Sequence, residues 1–157
     1  MVMLREELRR TASHEARHAA TSVHLGLCFH PVAIRRSGMY DGSVEPDLSE
    51  EDHENESRIL EIARKQMIVA YAGGEAQRML HPEQSESEIA KSSEDDYRKA
   101  RSIAEECVSS SIYLGQAKQE AVVLVAQLRD VIEAKAEVLC RNRRLSSQSR
   151  MRFTKRD

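Results

Sequence analysis

The chain has 157 residues, 40% hydrophobic and 32% charged, with 24 Lys and Arg against 26 Asp and Glu for a net charge of −2. One domain of this size buries roughly two thirds of the surface its unfolded chain exposes, so a real core is available and a disordered tail is excluded. The longest apolar run, Ala121 to Ala126, is far shorter than the ~18 residues of a membrane span, and Glu6 and Glu7 sit where a signal peptide needs its apolar core, so the expectation is a cytoplasmic protein with no membrane contact.

Leu4, Leu8, Ala12, Ala16, Ala19, Ala20 and Val23 recur at helical spacing and predict a first helix over 4–24, closed by Gly26. The pattern then changes. Residues 31–35 read as a short strand, 37–42 as a turn, and 43–45 as a returning strand. Residues 46–56 read as an exposed acidic loop; from Glu45 to Glu61 eight acids face one base.

Ile59, Ile62, Ala63, Met67, Ala70 and Ala72 mark a second helix. Gly73-Gly74 interrupts it, at a cost of about 2 kcal/mol against alanine. The pair signals either a break or a place where another backbone comes close. Ala76 to Leu80 resume the pattern, and His81-Pro82 ends it.

Residues 82–93 are polar. Ser92 or Ser93 offers a cap for a third helix that opens with Glu94, Asp95 and Asp96 and carries Tyr97, Ala100, Ile103, Ala104, Cys107 and Val108 as its stripe. Gly115 separates it from a fourth helix over 116–142. The buried face of that helix is Ala117, Ala121, Leu124, Val125, Leu128, Val131, Ile132, Ala136 and Leu139.

The expected architecture is therefore mainly α, with a small β excursion after the first helix. Residues 1–142 form the domain and 143–157 a basic, flexible tail. From Arg141 onward seven bases face one acid, but the stretch 141–147 has no aromatic to stack on a base, which argues against a nucleic-acid partner. Two Phe, four Tyr and no Trp leave an aliphatic core. Cys28, Cys107 and Cys140 form no Cys-x-x-Cys, which excludes a zinc ribbon and suits free thiols in a reducing compartment.

The residues that carry chemistry are His14-Glu15-Ala16-Arg17-His18, a His-Glu-x-x-His motif inside the first helix. Residues four apart lie about 40° apart around a helix axis and one turn along it, so both imidazoles can reach one zinc ion. In such sites the glutamate is general base for a water that the metal acidifies toward a pKa of ~7. Chance placement in a chain of this composition predicts roughly 0.03 such motifs.

A catalytic zinc takes three protein ligands and keeps one open position. His24 has the metzincin spacing, but Thr21 stands where that pattern needs a glycine turn. In a continuous helix His24 points about 280° from His14. The alternative is a distant carboxylate, with Glu61, Glu75, Asp95 and Asp96 as candidates that spacing does not separate.

Three blocks in order give the chain a resemblance to a known family: Thr11-Ala12-Ser13-His14-Glu15-Ala16-Arg17-His18-Ala19-Ala20, the stretch Ala70 to Leu80 around Gly73-Gly74, and Ser92 to Ala100 around Asp95-Asp96. Together they resemble the peptidase domain of the FtsH family of zinc metalloproteases over about residues 5 to 142. The resemblance implies a helical, zincin-like peptidase with His14, His18 and Asp96 as zinc ligands and Glu15 as catalytic base. It implies a polypeptide substrate, unfolded or flexible. With no P-loop in the sequence, it also implies a separate ATPase or adaptor chain to deliver that substrate.

Three positions depart from the family. Arg17 replaces a glycine, where a long cation would narrow the cleft or pair with an acid. Arg78 and Met79 replace a glutamate pair, and Glu75 one turn earlier is the candidate replacement for orienting a zinc-binding histidine. The alternative function is therefore a degenerate FtsH-like domain that binds metal or protein as a regulatory module.

Overall fold

Helix α1 (Arg5–His24) starts with Glu6 and Glu7 in its first turn, where the helix dipole favours acids. It ends at Gly26, whose φ of 74° is the left-handed value expected of a closing glycine. The Leu27 N–H reaches back to the Ser22 carbonyl at 2.8 Å and the Gly26 N–H to Val23 at 3.2 Å, which satisfies the last carbonyls. The computed structural model describes residues 5–27, 32–34, 40–41, 56–107 and 111–145.

The remaining elements follow in order: β1 (Val32–Ile34), β2 (Tyr40–Asp41), α2 (Glu56–Leu80), α3 (Glu86–Ser92), α4 (Glu94–Cys107), α5 (Ser111–Gln127), α6 (Arg129–Asn142) and β3 (Arg144–Leu145). The fold is mainly α with a small antiparallel sheet in the order β2-β1-β3. Ala33 faces Asp41 on one side and Arg144 on the other. Helix α1 lies between α2 and α6, and α2 also packs against α4 and α5.

The core is aliphatic, as composition requires. Among the described residues its buried apolar members are Ala, Leu, Ile, Val and Met, and Ala12, Ala16, Ala19, Ala72 and Ala76 let α1 and α2 approach closely. The predicted face of the fourth helix is buried as read, with Leu128 and Val131 partly covered.

Several boundaries differ from the sequence reading, each for a local reason. Tyr40–Asp41, read as turn, is β2, because pairing with β1 outweighs the weak strand preference of Asp41. The strand read over 43–45 and the loop read over 46–55 lie outside the described residues. Helix α2 does not break at Gly73-Gly74. Residues 86–92 form α3, held by a capping box in which Ser85 Oγ accepts from the Glu88 N–H at 3.2 Å and Glu88 Oε2 from the Ser85 N–H at 2.8 Å.

Helix α4 opens directly after Ser93, but neither expected serine caps it. Ser92 Oγ donates to Gln77 Oε1 at 2.8 Å, and Ser93 Oγ is buried without a partner. Gly115 lies inside α5, where the loss of about 1 kcal/mol against alanine is outweighed by packing on α2. The chain turns instead at Leu128, so that α5 packs on α2 and α6 on α1.

The stretch read as a tail begins inside the fold. Arg143 takes the left-handed conformation with φ 58°, its carbonyl accepts from the Ile34 N–H at 2.8 Å, and Leu145 beyond it is buried. Among the described residues no helix is long and apolar enough to cross a membrane.

Candidate metal centre

From Ala12 to Ser22 every residue of α1 is buried, although the segment includes His14, Glu15, Arg17 and His18. An amphipathic surface helix would leave one face in water. Here α2 and α6 cover both sides, and the ionisable residues are held inside the molecule, where such groups are rare unless paired or functional.

Three donors converge. His14 Nε2 and His18 Nε2 are 3.1 Å apart, and Asp96 Oδ2 lies 3.0 Å from the first and 3.2 Å from the second. These atoms form a possible metal-binding group. Donors ~2.0–2.1 Å from a tetrahedral zinc stand about 3.3–3.4 Å apart, so a small outward shift admits the ion. Two imidazoles and one carboxylate are a donor set that fits a divalent transition metal.

Two elements place the three donors. The two histidines stand one turn apart on α1. Asp96 sits in the first turn of α4, where the dipole favours an acid. Gly73 on α2 makes room: a methyl group there would lie 3.2 Å from Asp96 Oδ2 and 3.6 Å from His14 Cε1. At Gly74 a methyl would overlap the Tyr97 hydroxyl. The glycine pair therefore marks neither a break nor the approach of another backbone, but the close approach of the Asp96 and Tyr97 side chains.

The structure separates the candidate third ligands. Asp95 is exposed and pairs with Arg98, Glu61 pairs with Lys65 at the surface, and Glu75 pairs with Arg78 at 2.7 Å. His24 is exposed at the end of α1, in a different pocket from the triad. Only Asp96 joins the two imidazoles.

The groups around the donors act in opposite ways. His18 Nδ1 lies 3.1 Å from the Val69 carbonyl, which can only accept, so the ring proton sits on Nδ1 and Nε2 keeps its lone pair. His14 Nδ1 lies 2.7 Å from Arg17 Nη2. Arg17 thus meets a histidine rather than an acid. Glu75 orients neither ring; it anchors Arg78, which also forks onto Glu86 of α3 at 2.8–3.0 Å. The Val69 carbonyl is invisible to a reading by residue type, because any residue at that place supplies one.

Burial, reinforced by Arg17, lowers His14 to about 3 against the pull of Asp96. Burial alone would raise Asp96, but His18 and His14 outweigh it and hold the carboxyl well below its ordinary range. Burial raises the Glu15 carboxyl, opposed by His18 and Arg17. A carboxyl with raised proton affinity next to a candidate metal position is suited to take up a proton.

No protein-family model matches the chain, and no curated protein matches it.

Proposed function

We propose that this chain is a zinc-dependent metallopeptidase of the FtsH type, acting on unfolded or flexible polypeptide. One observation carries the reading: a His-Glu-x-x-His helix and an aspartate 78 residues beyond its second histidine bring three ligand atoms together, with the glutamate buried alongside. Zinc, when bound, supplies an acidified water and polarises the scissile carbonyl. Within the chain, His14, His18 and Asp96 hold the ion, and Glu15 takes the proton of the attacking water and returns it to the leaving amine. No P-loop lies within the 157 residues, so these residues do not themselves drive ATP-dependent delivery of substrate.

The contact of Arg17 with His14 favours a second reading, a degenerate domain that keeps the fold and serves as a binding module. Casein cleavage separates the two. The peptidase reading expects stoichiometric zinc and cleavage that a chelator stops. Glu15→Gln should keep the metal and lose activity by ~100-fold or more. Cleavage unchanged in Glu15→Gln rules out the proposed base, and zinc bound without any cleavage by the wild type favours the binding module.

A further inference from the structure

We propose that Arg17 is a built-in competitor of the metal: it holds His14 in the tautomer that cannot coordinate through Nε2, and so sets a low metal affinity. The inference rests on the metal reading of this site and concerns the one ionisable residue of the motif that the proposed chemistry does not use.

A guanidinium has donors and no acceptor. Its Nη2 lies 2.7 Å from His14 Nδ1, so Nδ1 must present its lone pair. The proton of the neutral ring then sits on Nε2, within 3.0 Å of Asp96 Oδ2, which accepts it. Arg17 Nη2 donates to His14 Nδ1 and His14 Nε2 donates to Asp96 Oδ2, so the ligand atom of His14 is capped by hydrogen. His18 is set the other way by the Val69 carbonyl, with its proton on Nδ1 and the Nε2 lone pair turned into the cluster, 3.1 Å from His14 Nε2 and 3.2 Å from Asp96 Oδ2. Two of the three donors are ready for a cation and the third is closed.

Metal entry at His14 Nε2 requires the ring proton to move to Nδ1, where it would face an N–H of Arg17. The ring keeps its net charge, but the hydrogen bond becomes a donor–donor conflict and the guanidinium must give way. Arg17 is fully buried, and its Nε and Nη1 already lack partners. Losing the His14 contact would leave a buried cation with no hydrogen bond, a costly state. The positive charge also repels a dication in a poorly screened interior.

The hydrogen-bond direction supplies the test. Glutamine at this position can accept from Nδ1–H, methionine removes the donor and keeps the bulk, and lysine remains donor-only. Zinc affinity of the purified protein is read by competition with a chromophoric chelator, with the cobalt absorption spectrum as a coordination signature and circular dichroism to confirm folding. Arg17→Gln and Arg17→Met should bind zinc at least ~10-fold more tightly than the wild type, while Arg17→Lys stays close to it. Adding His14→Ala to Arg17→Gln should remove the gain. Should one variant fail to fold, the other carries the comparison. Equal or weaker binding by both Gln and Met variants, with zinc bound by the wild type, overturns the role of Arg17 and leaves the metal site standing. Zinc bound by none of the proteins overturns the metal reading itself and the competitor role with it.

Discussion

His14 and His18 are one helical turn apart, yet their rings face opposite kinds of neighbour: an arginine donor for the first, a backbone acceptor for the second. The difference makes His14 the acid-sensitive residue of the metal-free protein. Its proton affinity is lowered by burial and by Arg17, from 6.5 to about 3. Between those values the unfolded chain binds a proton that the native state refuses, so stability falls as pH drops, with a slope of up to ~1.4 kcal/mol per pH unit. Burial-lowered His81 adds the same sign, while burial-raised Glu15 opposes it just above its ordinary range. Urea melts in chelator at pH 7 and pH 5 should show the wild type losing more stability than His14→Gln. Parallel losses in the two proteins would remove His14 from the account.

Helix α2 admits the side chains of α4 beside the site helix because it carries two glycines there. Gly73 and Gly74 let α2 run unbroken past Asp96 and Tyr97, at a propensity cost outweighed by the close packing. The two glycines are not equivalent. A methyl at Gly73 finds its nearest neighbour at 3.2 Å, whereas at Gly74 it collides with the Tyr97 hydroxyl, and Tyr97 follows the ligand Asp96. Gly74→Ala should destabilise the fold by about 1–3 kcal/mol and weaken zinc binding as well. Thermal melts and metal titration of the variant check both. A stable, full-affinity Gly74→Ala would show that Tyr97 can swing away without moving Asp96.

Over the whole molecule, the metal helix is enclosed because elements from both ends of the chain close on it. Helix α6 returns along α1, and the left-handed Arg143 sends the chain into β3, which pairs with β1. Leu145, buried to 1% exposure, joins the same core cluster as Leu8 and Ala12. Leu145→Ala should cost about 2–5 kcal/mol, the range of a fully buried leucine, rather than the near-zero effect of a solvated tail. Chemical denaturation measures it directly, and a cost below ~0.5 kcal/mol would mean that β3 adds nothing to the core.

Much of this could be read from residues alone, where the cause is local. The helical spacing of Leu8, Ala12 and Ala16 marks α1, the four-residue step from His14 to His18 aligns two donors, and Ser85 with Glu88 carries a capping box legible as Ser-x-x-Glu, although 82–93 was read only as polar. Spacing by itself left the acid open among Glu61, Glu75, Asp95 and Asp96, and the FtsH resemblance favoured Asp96. Proximity between residues far apart in the chain depends on how helices pack, and packing is a property of all of them together. Only the tertiary structure set Asp96 beside the histidines, turned Gly73-Gly74 into a contact rather than a break, aimed the Val69 carbonyl at His18, and buried Arg17 against His14.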